Sequence, residues 1–113
     1  MAQVLVYMKR YDKLVRDGIP TIIEEAGKRA NWRELSDEEF REALKAKVLE
    51  EAGELLEASD ASLLSELADL SEVIDAILRA YEFSREDLET LRQKKNEDRG
   101  GFARKIFLES VSV

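Results

Sequence analysis

The sequence predicts an all-α domain, a four-helix hairpin bundle. Three observations carry that expectation. Apolar residues recur at three- and four-residue spacing over long stretches. Two serine-led patterns, Ser36-Asp-Glu-Glu39 and Ser84-Arg-Glu-Asp87, mark helix starts. The breaks between the long periodic stretches are short, which favours antiparallel neighbours. The 113 residues suit one domain, 1–113, with no internal repeat, low-complexity segment or linker.

Taken in order, residues 3–8 (Gln-Val-Leu-Val-Tyr-Met) are short and β-prone. Gly18 and Pro20 mark a bend, and proline is tolerated in a first helical turn. The spacing of Ile19, Ile22, Ile23, Ala26 and Ala30 predicts a helix after it. Residues 31–35 read as a connection. The cap at Ser36 starts a second helix over about 37–58, with Phe40, Leu44, Val48, Leu55 and Ala58 as its apolar face. Ser59-Asp60 interrupts it. A third helix over about 61–82 aligns Leu63, Leu67, Leu70, Ile74, Ile77, Leu78 and Tyr81. The cap at Ser84 starts a fourth, to about 97, and Gly100-Gly101 stops it. The tail, 102–111, is again β-prone and suits a two-stranded ribbon with residues 3–8.

Hydrophobic residues make up 44% and charged residues 38%, a balance that folds rather than staying disordered. The net charge of −7 disfavours nucleic-acid backbones and anionic membranes as partners and suits a protein that recruits cations. With no cysteine and no histidine, the chain cannot hold a disulfide, a zinc finger, a cysteine nucleophile or a serine–histidine triad. Acid–base chemistry is left to carboxylates, lysine, tyrosine or metal-bound water. The first ten residues lack a signal-peptide layout and no run reaches membrane-spanning length, so the expected location is cytoplasmic.

The acids are distributed unevenly. Glu51 and Glu54 form one i, i+3 pair, and Glu66 and Asp69 form another. With Phe40 at zero on a helical wheel, Glu51 falls at about 20°, inside the apolar arc, where a leucine is expected. Glu54 and Lys47 lie on the arc's margin, and Glu50 on its flank. On the third helix Glu66 lies about 60° from Leu63, beside Val73, with Asp69 further out. Carboxylates meeting in a core repel unless a cation joins them, and hard divalent ions take oxygen ligands and bridge to phosphates. Against this stands a plainer reading: a chain with 25 acids shows such pairs by chance on wet faces.

Glu50-Glu51-x-x-Glu54 followed by Glu66-x-x-Asp69 resembles the signature of the MazG-like all-α nucleotide pyrophosphohydrolases. Lys13-Leu-Val-Arg-Asp-Gly-Ile-Pro20 and Lys95-Asn-Glu-Asp-Arg-Gly-Gly-Phe102 resemble the phosphoribosyl-ATP pyrophosphohydrolase-like branch of that superfamily. The likeness spans about residues 11 to 109. It implies Mg2+ dependence, with Mn2+ as a substitute, and cleavage of a nucleotide between its α- and β-phosphates. Glu51, Glu54, Glu66 and Asp69 would be the metal ligands. Glu50 would bind a further metal or orient and deprotonate the attacking water. Gly53 departs from the pattern, since the family usually carries a bulkier residue there; it either allows close helix packing or loosens the site.

Phosphates also need fixed cations. Lys13, Arg16, Lys47, Lys95 and Arg99 are the candidates, with Asn96 for a base or sugar. Each has an ordinary alternative as a surface charge, an i, i+4 ion pair or a helix-end residue. Trp32 and Tyr81 suit core or dimer packing better than base stacking. The expected protein is a Mg2+-dependent hydrolase of a nucleoside triphosphate, standard or non-standard, acting as a homodimer or dimer of dimers. Phosphoribosyl-ATP is the alternative substrate. A non-catalytic helical dimerisation module is the rival from another class.

Overall fold

A computed structural model describes residues 7–113. It contains α1 (Ile19–Glu25), α2 (Asp37–Glu57), α3 (Leu63–Ala80) and α4 (Arg85–Arg99), and the fold is all-α. Among the described residues there is no strand: residues 102–113 follow turn and coil, so the tail does not supply its side of the expected ribbon. Residues 3–6 of the other side lie outside the described residues.

Local chemistry sets the helix ends. Pro20 stands in the first turn of α1, where its missing N–H costs no helical bond. The helix stops five residues before Ala30, which the apolar spacing had included. Gly27 adopts φ +84°, its N–H reaches Glu24 O at 2.9 Å, and Lys28 N–H reaches Ile23 O at 3.2 Å. That is a glycine-terminated Schellman closure, and it overrides the periodicity beyond it. α2 begins at the expected capping box: Glu39 N–H donates to Ser36 Oγ and Ser36 N–H to Glu39 Oε1, both at 3.2 Å. α4 opens on the same reciprocal pair between Ser84 and Asp87. The end of α3 repeats the Schellman pattern, Glu82 N–H to Arg79 O and Phe83 N–H to Leu78 O, with a glutamate at φ +58° in place of glycine.

α2 and α3 form the packed unit of the chain. Glu51 meets Glu66 and Asp69 near their connection, and Phe40 shares a cleft with Ala80 at the far end, so the two helices run antiparallel. Leu44 (2% exposed), Val73 (8%) and Glu51 (6%) are the fully buried residues at this contact. On α3 the buried side is the Val73 flank; Leu63, Leu67 and Ile74, the centre of the arc read from sequence, remain exposed. The hairpin therefore uses one edge of that arc and leaves its middle open. Among the described residues α2 and α3 alone share an extensive contact, and the radius of gyration is 19.8 Å. A compact chain of this length has about 13 Å. Leu49, Leu56, Leu64, Trp32, Phe102, Phe107 and Leu108 are also exposed. Among the described residues no helix is long and apolar enough to cross a membrane.

Candidate metal centre

The acid site is built near the α2–α3 connection. Residues 44, 47, 48, 51 and 55 share one side of α2 at helical spacing, and that side faces α3. Glu51 therefore enters the helix contact as a leucine would. Two groups of acids share it. Oxygens of Glu50, Glu51 and Glu54 lie within 4.8 Å of one another, and so do oxygens of Glu51, Glu66 and Asp69. All five acids singled out from the sequence thus fall in one cluster, with Glu51 at its centre and Glu54 at its exposed rim.

Three cations reach the cluster. Lys47, one turn before Glu51 on the same helix, places Nζ 3.3 Å from Glu51 Oε1 and 3.2 Å from Glu50 Oε2. Lys13 Nζ donates to Glu50 Oε1 at 2.9 Å, and Arg16 Nη2 to Asp69 Oδ1 at 2.8 Å. Both come from the non-helical strap that precedes α1. Tyr11 belongs to the same strap and is exposed, with the Lys9 and Lys13 ammonium groups 5.0 and 5.6 Å from its ring centre. Five carboxylates against three cations leave a surplus of negative charge.

Burial pushes the Glu51 carboxyl above its ordinary pKa, the nearby Glu54 adds to the rise, and Lys47 opposes it. Glu50 goes the other way: burial alone would raise it, but the hydrogen bonds from Lys13 and Lys47 prevail and lower it. The Lys13 ammonium is raised in turn, chiefly by its bond to Glu50. Glu51 Oε2 and Glu66 Oε2 are buried without any hydrogen-bond partner. A buried oxygen of that kind is costly to leave unpaired, and a proton, a water or a cation would each relieve it. An all-carboxylate donor set with two orphan oxygens fits a hard divalent cation such as Mg2+ or Mn2+.

Lys13, Arg16 and Lys47 are thus brought to the acids. Lys95, Asn96 and Arg99 are not: they stand exposed on the last turns of α4, and among the described residues their side chains make no hydrogen bond or ion pair. Gly53 is exposed as well, and a Cβ there would meet nothing within 4 Å, so it serves no close helix packing within the chain. Sequence reading missed Tyr11 and the direct grip of the strap on Glu50 and Asp69, because neither leaves a local pattern. A cleft of about 590 Å3 lies at the other end of the hairpin, lined by Phe40, Arg41, Arg79 and Tyr81 among others. No protein-family model, curated protein or solved structure matches the chain.

Proposed function

We propose that the chain is a Mg2+-dependent nucleotide pyrophosphohydrolase, splitting a nucleoside triphosphate into a monophosphate and pyrophosphate. One observation carries this reading: Glu51 is buried in a helix contact with a free oxygen, where it converges with four other acids. A scaffold that only had to dimerise would be more stable with leucine there. The opening likeness to the MazG-like pyrophosphohydrolases supplies the reaction class.

Glu51, Glu54, Glu66 and Asp69 would hold the metal, which would supply neutralisation of the developing charge and a more acidic water. Lys13, Arg16 and Lys47 place positive charge at the rim, where phosphate oxygens can be gripped and oriented. Glu50 is the base candidate: water adds at phosphorus, the bond to the bridging oxygen breaks as pyrophosphate leaves, and Glu50 takes the water's proton. Both oxygens of Glu50 are engaged by ammonium groups in the structure, so that role requires one of them to leave.

The open stripe of Leu63, Leu67 and Ile74, with the exposed tail residues, supports a homodimer or dimer of dimers. Lys95, Asn96 and Arg99 would then act on a site in a second copy. Phosphoribosyl-ATP remains the substrate alternative within the class. The test is a screen of nucleotides with Mg2+ for pyrophosphate release. Turnover of at least one nucleotide to its monophosphate is expected; no turnover with any, together with no binding of Mg2+ or Mn2+, would overturn the reading.

A further inference from the structure

The strap that precedes α1 is tied to the hairpin by side chains rather than by backbone. Among the described residues, none of 7–15 makes a backbone hydrogen bond outside regular elements. Half-buried Leu14 and the two ion pairs, Lys13 with Glu50 and Arg16 with Asp69, hold it down. Such a segment detaches at low cost. It spans the site from side to side, since Glu50 belongs to α2 and Asp69 to α3, with buried Glu51 sharing an acid group with each.

The oxygens held by the strap are also those a metal would claim. Glu50 has no spare oxygen: Lys13 takes Oε1 and Lys47 takes Oε2. Lys47 lies on α2 itself and is mostly enclosed, whereas Lys13 is on the detachable strap with its side chain 38% exposed. Arg16 is more exposed still and occupies only Oδ1 of Asp69. An ion entering the cluster therefore competes first with Lys13 and Arg16.

We propose that Lys13 and Arg16 form a cation-exchange latch. In the metal-free chain they occupy Glu50 and Asp69; when a divalent ion takes those carboxylates, the strap releases and the two cations grip the phosphates of the incoming ligand. The latch rests on the metal reading above. It makes metal and phosphate binding ordered, because the phosphate-binding cations become free only after the ion has entered.

Competition predicts opposite signs for two affinities. In the full chain carrying Lys13→Met and Arg16→Met together, calorimetric titration with Mn2+ alone should show binding roughly three- to tenfold tighter than in the unaltered chain, the scale of losing two partly exposed ion pairs. Binding of inorganic pyrophosphate in the presence of Mg2+ should weaken by at least a similar factor. Arg33→Ala, which removes a cation paired with Glu39 away from the cluster, should change neither. Should the double variant lose its helical circular dichroism, Lys13→Met and Arg16→Met made singly are held to the same two opposite shifts. Mn2+ binding unchanged or weaker in the variant so tested overturns the latch, as does unchanged pyrophosphate binding. If the unaltered chain binds no Mn2+, the metal reading itself fails, which is a different result from these.

Discussion

Lys47 Nζ lies 3.3 Å from Oε1 of Glu51 and occupies half of that carboxylate, while Oε2 stays buried without a donor. One lysine shared between Glu50 and Glu51 cannot balance both. The structure thus maintains an excess of negative charge in the one place where two helices pack tightly. Stability there depends on pH and on cations in ways that can be measured.

The pH dependence has a definite sign. The folded pKa of Glu51 lies above its unfolded value, so its contribution is full below about pH 4 and is lost as pH rises through the folded pKa. Metal-free Glu51→Gln should be more stable than the unaltered chain at neutral pH, with the gain fading towards pH 4. Glu50 is lowered, so its contribution is present above the unfolded value and lost as pH falls through the folded one. Glu50→Gln should therefore cost stability at neutral pH. Chemical denaturation across pH reads both, and a neutral-pH loss for Glu51→Gln contradicts the burial argument.

Gly53 sits in the interior of α2, where a Cβ meets nothing. Gly53→Ala should stabilise the chain by about 0.5–1 kcal/mol through helix propensity alone. A fall in melting temperature would mean that another copy approaches the helix closely at this position.

Leu63, Leu67 and Ile74 form an open apolar stripe on α3, opposite in use to the buried Val73 flank. Sedimentation equilibrium should find a dimer or tetramer, and Leu67→Lys should shift it to monomer. A monomeric unaltered chain at micromolar concentration would refute that use of the stripe.

Much of this was legible in the sequence where the information is local. Ser36 with Glu39 and Ser84 with Asp87 announce helix starts because both partners lie within one turn. Glu51 stood out because a helical wheel needs only its own helix. The face of α3 that packs was not legible: the apolar arc is wide enough to serve two neighbours, and only tertiary packing decides that the Val73 edge is the buried one. The grip of Lys13 and Arg16 on residues 37 and 53 positions away has no sequence period at all. Gly27 did carry a local signal, a glycine inside a periodic stretch, and periodicity masked it.

The central claim is a divalent-metal centre anchored on Glu51. Its most direct test is the melting temperature of the unaltered chain and of Glu51→Gln, each titrated with Mg2+ or Mn2+. An ion that binds only the folded state stabilises by about 2.7 kcal/mol at one hundred times its Kd, which is several degrees for a domain of this size. The unaltered chain should show that rise and Glu51→Gln should lack it. An equal rise in both, or none in the unaltered chain, would contradict the assignment.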